Sequence, residues 1–333
     1  MRRPLKKTVV GSIVLAGALL AVAVTVEAQQ KDKIFRIGYL DPSTVSGTTG
    51  LLGTFRQELS KLGWIEGKNI TIEYRFAEQK PERVPELAVE LVRLKVDLIV
   101  TAGTPPALAA KKATSTIPIV MNVTDPLALG LVASLARPGG NVTGLSTLAT
   151  ELNTKRLEVL KDAIPKLDRV GLLQGSSYNP GQELQLEELR VAAPGLKVKL
   201  EEIKTQLDAQ GLESAFKTAE QKQVGAIMTT SIRVFFAERK RIVELATKHR
   251  LPAIYIRKEY VDEGGLMSYG PDYDDQYRKT AHYVDKILKG AKPAHLPVQQ
   301  ATKFEFVINL KAAKQIGLTI PPSVLAKADK VIK

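Results

Sequence analysis

The chain has 333 residues, of which 44% are apolar and 25% charged. That is the balance of a soluble folded protein with room for two lobes, so extensive disorder is excluded. A formal net charge of +13 permits anionic partners, while the absence of cysteine excludes disulfides, a thiol nucleophile and a lipid-bearing cysteine.

Residues 1–28 combine a basic "MRRPLKK", an uncharged "TVVGSIVLAGALLAVAVTV" and a small-residue site before Gln29, the pattern of a cleaved export signal. Thr8 to Val26 is also long enough for an uncleaved membrane anchor, and that alternative stays open. Export without disulfides implies a periplasmic setting. Without these residues 44 basic side chains face 34 acidic ones, a balance of +10 (48 − 4 against 35 − 1). The densest basic run, Arg239-Lys240-Arg241, sits inside "FFAERKRIVELATKHR". Its apolar residues recur at helical spacing, so the charges fall on a solvated face and no nucleic-acid partner is expected.

From Ile34 onward strands and helices alternate. "IFRIGYL", "NITIEYRFA", "VDLIVTAG" and "IPIVMNV" read as strands, with helices over "LLGTFRQELSKLG", "PELAVELVRLK" and "PPALAAKKAT" between them. The order then restarts: "DRVGLLQG", "LKVKLEEIK", "VGAIMTTS" and "LPAIYIRK" repeat those strands in sequence. Four matches in order imply two copies of one α/β unit, each with parallel strands joined by right-handed crossovers. The expected fold class is therefore α/β, two similar doubly wound parallel-sheet lobes.

A glycine-rich extended piece follows each copy, "GGNVTGLST" and then "EGGLMSYGPD", where the chain must change lobes. The helix "YDDQYRKTAHYVDKILKG" and the strand–helix "KFEFVINLKAAKQIGL" then return to lobe one and to lobe two. Three crossings would form a hinge. The boundaries predicted are 34–143 plus 271–294 for lobe one and 147–267 plus 298–333 for lobe two.

Ligands of open parallel sheets sit outside the carboxyl ends of the strands. In lobe one those positions are "DPST" with Ser43 and Thr44, "GTPPA" with Thr104 and Pro105, and "NVTDP" with Asp125. Opposite them are "QGSSYN" with Ser176 and Tyr178, "TTSIRV" with Ser231 and Arg233, and "YIRKEY" with Tyr255 and Tyr260. Thr104 before two prolines is a helix start that reads either as a carboxylate site, through its free N–H groups and dipole, or as a cap that merely satisfies the helix. Ser43 and Ser176 equally read as caps. Asp125, before Pro126, reads either as the partner of a ligand ammonium or as a turn former, and Asp41 has the same ambiguity. Tyr39, Tyr178, Tyr255 and Tyr260 could sandwich a flat ligand or be packing residues.

Catalysis finds no support in the residues. His249, His282 and His295 lack metal-ligand spacing. "GWIEGKN" falls one residue short of a phosphate loop and leads into a strand. No cofactor or metal is expected.

The segments "GYLDPS", "VDLIVTAGTPPALAAKKATSTIPIV", "TDPLALGLVASLARPGGNVTGLS", "GGLMSYGPD" and "KFEFVINLKAAKQIGLTIPPSVLAKAD" span nearly all of the chain after residue 28. Together they resemble the substrate-binding proteins of ABC transporters, in the family with tryptophan- and tyrosine-type amino-acid binders. The resemblance implies the type I periplasmic-binding-protein fold, delivery of a small molecule to a permease in the inner membrane and no catalysis; separately, no long heptad or apolar stripe demands assembly, so a monomer is expected. It also implies lobe-one ligand contacts from Ser43, Thr104 and Asp125, with Ser176 and Ser231 opposite. Ser231-Ile232-Arg233 departs from an acidic or amide residue completing an ammonium site, and Arg233 would suit a carboxylate better. The expectation is a solute-binding component of an importer that takes an amino-acid-like or carboxylate ligand between its lobes. Alternatives are a periplasmic sensor docking onto a receptor kinase or chemoreceptor and, more remotely, an exported enzyme.

Overall fold

The structure, a computed structural model, describes residues 33–333, so the expected export segment at 1–28 lies outside the described residues. Among those described, no helix is long and apolar enough to cross a membrane.

The first sheet begins with β1 (Phe35–Asp41), α1 (Thr49–Lys61), β2 (Ile70–Phe76), α2 (Val84–Arg93), β3 (Leu98–Ala102), α3 (Thr104–Ala113), β4 (Ile119–Val123) and β5 (Val142–Ser146). Its strands lie in the order β2-β1-β3-β4-β5 and all run parallel. Ile37 of β1 stands opposite Ile72 of β2 and Leu98 of β3. The near-continuous apolar runs of β3 and β4 follow from burial on both faces. On one face α1 packs Phe55 and Leu59, and on the other α2 packs Leu87 and Leu91. Each such side chain contributes about 1.5–3 kcal/mol by leaving water.

The second sheet repeats the plan. After α4 (Ala149–Ala163) come β6 (Arg169–Gly175), α5 (Pro180–Gly195), β7 (Lys199–Thr205), α6 (Ala209–Gln221) and β8 (Ala226–Thr229). The short α7 (Arg233–Ala237), α8 (Arg239–Lys248), β9 (Ala253–Tyr255), α9 (Lys258–Asp262) and β10 (Met267–Pro271) complete the copy. Strand order β7-β6-β8-β9-β10 matches the first lobe strand for strand. α8 buries Ile242, Val243, Leu245 and Ala246, while Arg239 and Arg241 on its outer face pair with Glu263 and Glu238.

The lobes exchange their next helices. α4 packs Leu157 and Leu160 into lobe two, and α10 (Tyr273–Leu288) packs Val284 and Ile287 into lobe one. The strand leading into each exchange carries a glycine pressed on a neighbouring backbone. A Cβ on Gly144 would meet the Met121 carbonyl oxygen at 2.2 Å, and one on Gly270 that of Ile256 at 2.0 Å. The first crossing bends at Leu148, whose φ of 54° is left-handed.

Two details differ from the sequence reading. Val298, assigned above to lobe two, joins the lobe-one core, and β11 (Gln299–Gln300) adds to the edge of β5; the third crossing follows it. β12 (Phe304–Asn309) then runs antiparallel to β10, because a chain arriving from lobe one enters lobe two at the facing rim. After α11 (Leu310–Gln315) and α12 (Pro322–Leu325), β13 (Lys330–Ile332) pairs parallel to β12, so the second sheet is mixed.

Candidate functional site

The carboxyl ends of both sheets open on one cleft with a cavity of about 150 Å³, a volume that holds a benzene-sized guest elsewhere. Gly103, Thr104 and Pro105 follow β3, Val123 and Thr124 close β4, and Pro42 follows β1. From the other side come Ser176 and Tyr178 after β6, Ser231 and Arg233 after β8, and Arg257 after β9. Parallel strands make this convergence inevitable, since every β–α turn of a lobe falls on one edge.

The two rims touch. Gly181, in the first turn of α5, sits so close to Thr104 that a Cβ there would lie 2.5 Å from Thr104 Oγ1. Asn179 caps α5 by accepting from the N–H groups of Gly181 at 3.0 Å and Gln182 at 3.3 Å. Arg233 reaches across from lobe two to Asp41 at the end of β1, its Nη2 donating to Oδ2 at 2.8 Å and its Nε at 3.1 Å. Asp41 is fully buried and also accepts from the Ser43 N–H and the Thr48 hydroxyl. Burial works against the Arg233 charge, but the Asp41 carboxylate outweighs it and holds the guanidinium well above its usual pKa. Burial, with Tyr277 and Asp41 alongside, pushes the Tyr39 hydroxyl up, so it stays protonated.

Arg257 is packed between the rings of Phe236, 3.7 Å from its guanidinium carbon, and Tyr273, at 4.5 Å. It pairs with Glu259, whose carboxyl it draws down against the effect of burial. Behind Ser231 lies Arg156 of α4, only 1% exposed. Its Nη2 donates to Ser231 Oγ at 2.7 Å and to Asn153, and its Nη1 to the Tyr269 carbonyl at 2.9 Å. Burial lowers its pKa to about 10. Gln185 ties the cluster together, its Oε1 accepting from Asn153 Nδ2 at 2.7 Å and from the Ser231 N–H at 2.6 Å.

Thr104, Pro105, Ser176, Tyr178, Ser231 and Arg233 of the predicted set thus line the cleft, Tyr178 at its exposed mouth. The others lie elsewhere. Ser43 is buried in the loop after β1 with its hydroxyl unpartnered, and Thr44 Oγ1 accepts from the Gly47 N–H. Asp125 is outside the lining and accepts from the N–H groups of Leu127 and Ala128, the turn-forming option of its two readings. Tyr255 and Tyr260 stack on each other inside the lobe-two core, with ring centroids 4.6 Å apart. Arg233 lines the cleft as expected, but its charge is satisfied by Asp41. The aromatic lining comes instead from Phe236, Tyr273 and Tyr277. Sequence reasoning missed these and Arg156. The available signals were the i, i+4 tyrosines opening α10 and the i, i+3 pair Asn153–Arg156 on the apolar face of α4.

Comparison with known proteins agrees with this geometry. A tyrosine-binding protein of Clostridioides difficile is 27% identical over 265 residues, covering 79% of this chain and 75% of the relative. A conserved domain protein from Vibrio cholerae superposes with a TM-score of 0.80 at 32% identity, covering 90% of this chain and all of the other. An ABC domain from Streptococcus pneumoniae in complex with L-Trp gives 0.78 at 28% identity, covering 89% and 100%. The ligand-free, open structure of a Clostridium difficile substrate-binding protein with adhesive properties gives 0.62 at 26% identity, covering 90% and 99%. The architecture is that of type I periplasmic binding proteins. A family model for ABC transporter substrate-binding proteins matches residues 46–332, and the chain belongs to that family.

Proposed function

We propose that this protein is the extracytoplasmic solute-binding component of an ABC importer, closing its two lobes on a small ligand in the interlobe cleft and presenting it to a membrane permease. The observation that carries this reading is the cleft itself: both sets of strand ends face one cavity, and the rims meet across it at Thr104–Gly181 and Asp41–Arg233. The higher TM-score against the L-Trp complex than against the ligand-free open relative, at similar identity, supports a closed arrangement. Such closure is hinge motion, with the three crossings as its axis. No catalytic step is assigned, because the family is one of substrate-binding proteins, not enzymes.

Titration of the purified protein with amino acids, aromatic acids, small carboxylates, sugars and nucleosides tests this in a thermal-shift assay. A true ligand raises the unfolding midpoint progressively with its concentration, by about 2.7 kcal/mol of stabilisation at a hundredfold excess over Kd. Small-angle scattering should show compaction with the same compound. A flat response across the whole set would count decisively against the reading.

A further inference from the structure

We propose that the ligand is a small organic monocarboxylate without an ammonium group, recognised by Ser231 with Arg156 behind it as a positioning charge; this rests on the solute-binding reading above. Three observations lead there. The only charged side chains lining the cleft are Arg233 and Arg257, each already paired with a carboxylate, and no aspartate or glutamate lines it among the described residues. An α-ammonium group entering the cleft would therefore lose its water without gaining a counter-charge, a penalty that a carboxylate alone avoids.

Arg156 is the second observation. It is almost fully buried and has no ion-pair partner among the described residues, and its Nε has no hydrogen-bond acceptor. A guanidinium does not shed its proton near neutrality, so the protein holds one uncompensated positive charge directly behind the cleft wall. A bound monoanion supplies the missing charge.

Third, the hydrogen-bond polarity of the cluster is fixed. Arg156 can only donate, so Ser231 Oγ accepts from it and its own hydrogen is left to donate elsewhere. Gln185 Oε1, which accepts from the Ser231 N–H, is also taken by Asn153 Nδ2. The Ser231 hydroxyl is thereby a polarised donor for an acceptor in the cleft. The amino end of the ten-residue α3 lines the same cleft, and its dipole also favours negative charge. Phe236, Tyr273, Tyr277 and Ile256 give the remaining wall an apolar, ring-accommodating character.

The test uses matched triplets that differ only in the head group: 3-phenylpropanoate, 3-phenylpropanamide and phenylalanine, and hexanoate, hexanamide and norleucine. Affinities are read by calorimetry and thermal shift on the purified protein. In at least one triplet the carboxylate should bind about tenfold to a hundredfold more tightly than both partners, the size of a hydrogen bond to a charged group. Ser231→Ala should cut that carboxylate-over-amide ratio about tenfold, and Arg156→Gln should erase it. A merely structural role for Arg156 would weaken both compounds equally and leave the ratio intact. Should Arg156→Gln fail to fold, Ser231→Ala decides alone. Tighter binding of the amino acid, or a ratio that survives Ser231→Ala, overturns the charge assignment while the solute-binding reading stands. Silence from these triplets together with a response to sugars or nucleosides does the same. Silence from every compound removes both.

Discussion

Glu201 on β7 is held between two ammonium groups, Lys199 Nζ and Lys222 Nζ, each 2.7 Å from one of its oxygens. Hydrogen bonds from Lys199 and then Lys222 draw its carboxyl down to about 2. An unfolded glutamate titrates near 4.3, so the native state favours the charged form and the unfolded chain takes up the proton first. The stability that Glu201 contributes is complete above the unfolded value and disappears as pH falls through the folded one. Glu201→Gln should therefore lower the thermal midpoint at pH 6. The gap to the parent should narrow steadily on acidification from pH 5 towards 2.5, as followed by circular dichroism. A gap independent of pH would mean that the ion triad adds nothing. Asp125, by contrast, occupies a position where two readings of one residue type were open. The structure turns its Oδ1 to the N–H groups of Leu127 and Ala128, and the residue lies outside the cleft lining.

The amino ends of α3 and α5 meet head to head, and Gly181 is where they touch. Alanine at 181 would improve the helix by up to about 1 kcal/mol in intrinsic propensity, yet its Cβ would lie 2.5 Å from Thr104 Oγ1 and 3.1 Å from Thr104 Cβ. The clash exists only while the rims are together. Gly181→Ala should thus leave the ligand-free midpoint unchanged or slightly higher. If closure is the binding-competent state, as proposed, the substitution should also weaken any compound that stabilises the parent by about tenfold or more, because that state becomes scarcer. Equal ligand-dependent shifts in variant and parent would show that α3 and α5 need not meet for binding. Such elements were legible before the structure because the strands repeat in order, and β-α-β alternation fixes which turns share a rim. Thr104, Ser176 and Ser231 follow from that rule alone. Tyr255 and Tyr260 do not: Tyr255 ends β9 and Tyr260 lies within α9, and a side chain at either place can turn to the cleft or into the lobe core. A Cβ on Gly265 would lie 2.6 Å from the Tyr255 ring, so that glycine belongs to the side on which they turned. For Arg156 the i, i+3 spacing with Asn153 was a signal, but its partners across the lobe were not legible: α4 leaves lobe one and buries in lobe two, so they are set by the exchange and not by sequence proximity.

For the molecule as a whole, the exchange of α4 and α10 makes each lobe depend on a helix that begins at the other's edge, and the Asp41–Arg233 pair joins the lobes where they come together. Asp41 is wholly buried and Arg233 is 11% exposed, so the pair is desolvated where the rims meet. Removing one partner of a buried pair typically costs about 3–5 kcal/mol, whereas replacing both with apolar side chains of similar size is often neutral. Under the hinge closure proposed above, either survivor would regain water as the lobes part, so this cost would fall on closure and not on the folding of either lobe. Asp41→Leu and Arg233→Met should each shift the ligand-free protein towards the open form. Small-angle scattering would read this as a larger radius of gyration, with thermal midpoints changed little. The double variant should return towards the parent dimensions, since neither charge is then stranded, and the non-additivity measures the coupling between the two sites. Single variants with the scattering profile of the parent, or a double variant as expanded as the sum of both, would show that the pair follows closure without stabilising it.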